Sequence, residues 1–95
     1  MSEIAQALNL VTLAKSNPQG SSVPGTDLEV AVISEKKDLE LTGDLWLLVL
    51  SGELIIDLPH GDFRILKVGQ CLHLEKGLAI SYQPLDEVVV LRRGG

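Results

Sequence analysis

Short runs of alternating apolar and polar residues, separated by turn residues, fill most of the chain from Leu28 onward. A period of two places every second side chain on one face, so this pattern predicts β-strands. We expect strands over residues 28–34, 38–42, 45–50, 53–58, 63–68, 70–74, 79–83 and 87–91. Many short strands separated by turn signals are typical of a sandwich or a barrel. The predicted fold class is therefore all-β.

The run over residues 45–50 is apolar at every position, which predicts a central strand that is covered on both faces. If its odd positions face the interior, its even positions form a second apolar face that also needs cover. Either the N-terminal segment or a second subunit would supply that cover. This face is the predicted interface of a homodimer, and it consists of Trp46, Leu48 and Leu50.

The first part of the chain, residues 1–27, has a different pattern from the rest. Ser2 at the start of the stretch 2–8 predicts an N-capped helical turn or two. The stretch 8–14 then suits a first strand, and 15–27 is a turn-rich loop with two X-Pro pairs. We expect one domain in all, with residues 28–95 as the barrel.

Composition narrows the possible functions. The chain has 95 residues and a net charge of −5, with a pI near 4.8, so it lacks the basic surface that nucleic acids require. It contains one Phe, one Trp and one Tyr, too few for a base-stacking surface. Cys71 is the single cysteine, and no apolar run approaches the ~20 residues of a membrane span. These features favour a soluble cytoplasmic protein that binds neither nucleic acid nor membrane.

Two glycine-bearing stretches resemble the motifs of the cupins. Residues 45–54 resemble the end of the first motif, G-x5-H-x-H-x3/4-E-x6-G, with Gly52 as its closing glycine. Residues 69–84 resemble the second motif, G-x5-P-x-G-x2-H-x3-N, with Gly69 and Gly77 in place. These glycines stand where strands end, at positions expected to need backbone angles that other residues avoid.

The sequence departs from the second motif at two positions. Glu75 stands where the family has proline, and Pro84 stands where it has asparagine. The resemblance covers residues 28–92 and implies a small single-domain member of the RmlC-like cupin superfamily. The implied fold is a double-stranded β-helix, or jelly-roll, barrel with a short N-terminal helical segment.

The metal ligands of the cupins are missing from the positions where the resemblance places them. The family's glutamate falls on Leu45 and its last histidine on Ile80. Its first two histidines fall on Leu39 and Leu41 in the register that strand alternation favours. Apolar side chains offer a transition metal no donors. The resemblance therefore implies a barrel without a bound metal or other cofactor.

In the other register, the first two histidines fall on Asp38 and Glu40. These two carboxylates, with Asp44, would then form an oxygen-only site for a hard cation. With His73 they would be the donors of a divergent metal-dependent cupin, of the dioxygenase or isomerase type. Charged residues on an edge strand are also a common way to discourage edge pairing. The register of residues 38–41 decides between these hypotheses.

Two polar residues are candidates for a small-molecule site. Tyr82 shares a strand face with Ile80 and is expected to point into the barrel. Arg64 shares a face with Leu66 and is expected at the barrel mouth. Together they would hold a carboxylate or a hydroxylated molecule. The leading hypothesis is a non-catalytic cupin, either a dimeric scaffold or a small-ligand binding module.

Overall fold

The computed structural model describes residues 7–95, which form one short α-helix, a 3-10 turn over Pro59–Gly61 and seven antiparallel strands. Helix α1 spans Leu10–Ser16. The strands are β1 Ser21–Ser22, β2 Glu29–Ile33, β3 Lys37–Glu40, β4 Leu45–Asp57, β5 Phe63–Leu66, β6 Cys71–Leu74 and β7 Ala79–Gly94. The all-β class predicted from the alternating pattern is confirmed.

The two long strands β4 and β7 form the centre of the sheet and pair along their whole length, from Leu45 opposite Gly94 to Asp57 opposite Ser81. Strands β2 and β3 follow one another along the outer edge of β7. Strands β5 and β6 do the same along the outer edge of β4, and β1 pairs with β2. One half of the sheet therefore contains the first part of β4 and the last part of β7, together with β2 and β6. The other half contains the last part of β4 and the first part of β7, together with β3 and β5.

The sheet folds over on itself, because buried side chains from both halves belong to one cluster. This inner cluster contains Ala31, Ile33, Leu41, Leu45, Leu47, Val49, Leu54, Ile56, Leu66, Leu74, Ile80, Tyr82, Val88 and Val90. No charged residue belongs to it. A sheet that is rolled around one apolar interior is the arrangement of a jelly-roll barrel.

Strand continuity differs from the sequence prediction at two places. Residues 45–50 and 53–58 were expected as separate strands, but β4 runs through Ser51 and Gly52 with two register shifts. Likewise 79–83 and 87–91 belong to the single strand β7, in which Asp86 has a φ of 69°. A bulge lets a strand bend and keep its partner, and only the partner reveals this continuity.

A second, smaller cluster lies on the outside of the sheet and is covered by helix α1. Its buried members are Ala14, Val30, Val89 and Leu91, with Leu10, Val11, Leu13, Val23, Leu28, Val32, Trp46, Leu48 and Leu50 partly buried around them. The second apolar face predicted for the central strand therefore packs at least in part against the chain's own N-terminal segment.

The prediction of a first strand over residues 8–14 is wrong, because helix α1 occupies this stretch. Leu10, Leu13 and Ala14 follow the i, i+3, i+4 spacing of a helix face, and all of them pack in the outer cluster. The side chain of Asn9 caps the helix by accepting a hydrogen bond from the Thr12 backbone N–H at 3.1 Å. The helical turn predicted from Ser2 lies largely outside the described residues.

Replacing this capping residue is expected to weaken the attachment of helix α1. Asn9→Ala removes the acceptor of an otherwise unpaired helix N–H and should lower the free energy of unfolding by about 1 kcal/mol. Asn17→Ala, at the other end of the same helix, is the matched control, since the cap at Asn17 uses its backbone N–H. Urea denaturation followed by circular dichroism measures both, and equal losses would contradict the capping role.

Candidate functional site

The positions at which cupins hold a metal are filled with packed apolar side chains. Leu41, Leu45 and Ile80 are 2%, 2% and 3% exposed, and all belong to the inner cluster. Leu39 packs against the same cluster and lies directly opposite Ile80 across the β3–β7 pair. A transition metal requires nitrogen, sulfur or carboxylate donors, and these four side chains have none. The donor set of this chain therefore does not fit the family's metal.

Strand β3 places Leu39 towards the interior and both acidic residues outside, as strand alternation predicts. Asp38 and Glu40 are exposed, and the Asp38 carboxylate accepts a hydrogen bond from the Ser81 hydroxyl. With Asp57 they line a shallow hollow of about 500 Å³ on the surface. The Asp57 carboxylate accepts a hydrogen bond from the Gln83 side chain. Asp38 and Asp57 are therefore bonded to neighbouring side chains, and Glu40 is exposed.

The alternative donor set of Asp38, Glu40 and His73 is not assembled. Asp38 and Glu40 lie on β3 beside β7, whereas His73 lies on β6 beside β4 and faces Trp46. The acidic side chain beside His73 is that of Asp44, whose Oδ2 lies 3.9 Å from His73 Nε2. Within residues 7–95, no three His, Cys, Asp or Glu side chains are grouped so as to hold a metal ion.

Arg64 and Tyr82, the predicted ligand-binding pair, are kept apart by Ile56. Ile56 pairs with Arg64 on one side and with Tyr82 on the other, so the three form one row across the sheet. The Arg64 side chain is about half exposed, and its Nη1 donates to Asp62 Oδ1 at 2.7 Å and to the Phe63 carbonyl at 2.8 Å. This hydrogen bond from Arg64, with one from the Phe63 backbone N–H, lowers the pKa of Asp62. Arg64 therefore braces the hairpin turn before β5.

Tyr82 instead lines a larger hollow of about 720 Å³, and there it is joined by Arg92. Sequence reasoning missed Arg92. The signal was present, since Val88, Val90 and Arg92 occupy alternate positions of one strand and the first two face inward. Burial raises the pKa of the Tyr82 hydroxyl, and the Arg92 charge opposes that rise only in part. The hydroxyl is thus a neutral hydrogen-bonding group at physiological pH.

The predicted interface residues Trp46, Leu48 and Leu50 lie on the outer side of β4, half-buried in the outer cluster beside helix α1. Leu48 faces Cys71 and Trp46 faces His73 on the neighbouring strand β6, and both of those residues are exposed. The role of this face in self-association stays a prediction.

Among the described residues, no helix has the length and apolar character needed to cross a membrane.

The fold is that of the cupins, as comparison with solved structures shows. A cupin-2 domain containing protein from Shewanella frigidimarina aligns with a TM-score of 0.71 at 15% identity, covering 90% of this chain and 90% of that one. Protein NMB1881 from Neisseria meningitidis aligns with a TM-score of 0.74 at 13% identity, covering 95% of this chain and all of that one. The predicted jelly-roll cupin fold is therefore confirmed.

A third similar structure is that of a protein in complex with a partner. It is the crystal structure of Drosophila melanogaster CENP-C bound to CAL1, which aligns with a TM-score of 0.64 at 17% identity and covers 79% of this chain and 69% of that one. At identities this low, structural similarity establishes the fold but not the activity, which has to be argued from the site itself. No family model and no curated protein matches the sequence.

Proposed function

We propose that this chain is a non-catalytic cupin-fold protein that acts as a homodimeric scaffold and uses no transition metal. The observation that carries the proposal is the apolar filling of the four ligand positions, Leu39, Leu41, Leu45 and Ile80. A barrel whose interior is packed with leucine and isoleucine is a stable fold whose outer surface remains available for binding another protein. The similar structure of CENP-C bound to CAL1 adds support for a role in protein interaction.

Elemental analysis tests the metal-free part of this proposal. Untagged protein is incubated with iron, manganese, nickel and zinc salts, desalted, and its metal content is quantified per chain. We expect far less than one metal per chain, because the inner cluster offers no donors. A stoichiometric transition metal would overturn the proposal and favour the metal-dependent dioxygenase or isomerase alternative.

The surface proposed for self-association is an apolar patch on the outside of β5 and the adjoining end of the sheet. This β5 patch consists of Phe63 and Ile65, which are 52% and 47% exposed. Ile55, opposite Ile65 on β4, joins the patch to the sheet. Exposed apolar side chains that are grouped in this way are typical of an interaction site.

A second copy of this chain is the proposed occupant because β5 is also an edge strand. Its outer edge pairs with no strand within residues 7–95, although the Phe63 N–H and carbonyl are bonded to the Asp62 and Arg64 side chains. Two identical strands related by a two-fold axis run antiparallel, so the edge of one β5 is complementary to that of another. A domain of this size also gains stability from burying surface in a dimer. Trp46, Leu48 and Leu50 form the competing face.

Sedimentation equilibrium distinguishes these faces. Ile65→Lys is expected to raise the dimer dissociation constant at least about tenfold, because it buries an unpaired charge in the interface. Val68→Lys, at a 62% exposed position outside the patch, is the matched control and should leave the constant unchanged. A dimer that is insensitive to Ile65→Lys but lost on Leu48→Lys would move the interface to the competing face. A monomeric wild-type protein would overturn the scaffold proposal.

A further inference from the structure

The hollow beside Tyr82 lies where the two halves of the folded sheet face each other. Tyr82 belongs to the half that contains β3, and Arg92 belongs to the half that contains β2. Ala31 and Ile33 from the inner face of β2 give the hollow an apolar floor. None of the four positions that correspond to cupin metal ligands lines it. It is therefore a different site from the family's metal centre.

Tyr82 is buried, but its hydroxyl has no hydrogen-bond partner within residues 7–95. Only 5% of the residue is exposed, yet the hydroxyl forms no hydrogen bond with a side chain or backbone group of residues 7–95. In the described part of the chain no buried side-chain oxygen lacks a partner, so this oxygen must reach open space. A tyrosine that buries its ring and leaves its hydroxyl unbonded offers that group to a bound molecule.

Arg92 is held rigidly at the rim of the hollow with part of its guanidinium available. Its Nε and Nη2 donate to Glu29 Oε1 at 2.9 and 2.7 Å, and Nη2 also donates to the Gln19 carbonyl at 3.2 Å. Nη1 donates to no group of residues 7–95. Gly20 permits this arrangement, since a Cβ there would lie 2.7 Å from the Glu29 carboxyl carbon. The guanidinium is therefore fixed by two partners and presents its remaining nitrogen.

The charges around the hollow favour an anion. Lys36, Lys37 and Arg92 line it, against Glu35 as the one carboxylate among its lining residues. Glu29 lies next to it and is ion-paired with Arg92. Lys37 lies directly opposite Tyr82 across the β3–β7 pair, so both belong to the same inward face. Cations thus outnumber carboxylates around the hollow by three to two, in a protein whose net charge is −5.

We propose that this hollow binds a small organic acid with a compact apolar body. Lys37 and Nη1 of Arg92 bind the carboxylate, because charge-assisted hydrogen bonds are stronger than neutral ones. The Tyr82 hydroxyl donates to an oxygen of the ligand, and its apolar body packs on Ala31 and Ile33. Apolar walls with a few convergent polar groups are the usual construction of a small-molecule site. This proposal does not depend on self-association or on the scaffold role.

Nuclear magnetic resonance titration with benzoate tests the proposal, using benzamide as a neutral molecule of the same shape. Benzoate is expected to shift the backbone amide signals of Ser34, Lys37 and Tyr82, with a dissociation constant of about 1 mM. Benzamide should bind about tenfold more weakly, because it lacks the charge that the cations recognise. Equal affinities for the two probes, or no shifts with benzoate, would overturn the anion site.

Three variants connect the binding to named residues. Tyr82→Phe removes the hydroxyl alone and should weaken benzoate binding about threefold or more. Lys37→Gln removes one cation and should weaken it by a similar or larger factor. Lys76→Gln, a change of the same kind at an exposed lysine outside the hollow, is the control. If Lys76→Gln weakened binding as much as Lys37→Gln, the effect would come from the overall charge and the proposed site would be wrong.

Discussion

Replacing Leu45 with glutamate is expected to lower the free energy of unfolding by about 4 kcal/mol. Position 45 is where the cupin resemblance places the metal-binding glutamate, so this change introduces the residue that cupins have there. In this chain the side chain is 2% exposed and belongs to a cluster without charged members. A carboxylate there would lose its hydration and gain no cation in exchange. The family's residue should thus be one of the least tolerated substitutions in this barrel.

Leu45→Met is the matched control, since it keeps the volume and apolar character of the site and should lose less than about 1.5 kcal/mol. Urea denaturation, followed by the fluorescence of the single tryptophan Trp46, measures both variants. If the glutamate were tolerated as well as the methionine, the interior would be able to hydrate or neutralise a carboxylate, as a metal site requires. That result would contradict the packed interior on which the metal-free function rests.

Alternation along a strand favoured the register of residues 38–41 that the structure has, although it left the other register open. It placed Leu39 and Leu41 inside and Asp38 and Glu40 outside, and the structure has this arrangement. Alternation is informative here because adjacent residues differ in polarity, so a shift of one residue would exchange the buried and the solvated side chains. The four apolar ligand positions were therefore accessible from the sequence once the cupin motifs were aligned.

Contacts that form only after the sheet folds over could not be predicted in the same way. Tyr82 and Arg92 come from opposite halves of the bent strand β7, and their approach depends on the bend near Asp86. Arg64 was predicted instead, because it shares a strand face with Leu66 and was expected at the barrel mouth. Local spacing carries no information about which rows meet across a folded sheet.

The N-terminal error has a different cause. The residues of α1 satisfy a helical spacing, while Leu8 and Leu10 also fit an alternating pattern. Short apolar stretches are ambiguous between the two periods. What decides the matter is the outer face of β4 and β7, which a helix presenting Leu10, Leu13 and Ala14 together can cover.

Replacing Gly52 with alanine is expected to destabilise the protein by about 4 kcal/mol, through two effects at one residue. Gly52 has a φ of 84°, where a side chain is strained by about 1–2 kcal/mol. An alanine Cβ would also lie 2.6 Å from the carbonyl oxygen of Glu87 and 3.2 Å from the Val88 Cα. Both contacts are to backbone, which cannot move aside without separating β4 from β7 at the bend.

Gly69→Ala separates strain from contact, because Gly69 has nearly the same φ, 86°, and its added Cβ would have no atom within 4 Å apart from those of its own chain neighbours. It should lose only the strain, about 1–2 kcal/mol, when both variants are compared by urea denaturation. The difference between the two variants then measures how closely the strands approach at the bend. Equal losses would mean that β4 and β7 can move apart at the bend. The two halves of the sheet would then be held less tightly than the complete burial of Leu54 and Val88 indicates. The expected larger loss in Gly52→Ala would show that this close approach holds the two halves of the barrel together, and with them the two sides of the Tyr82 hollow.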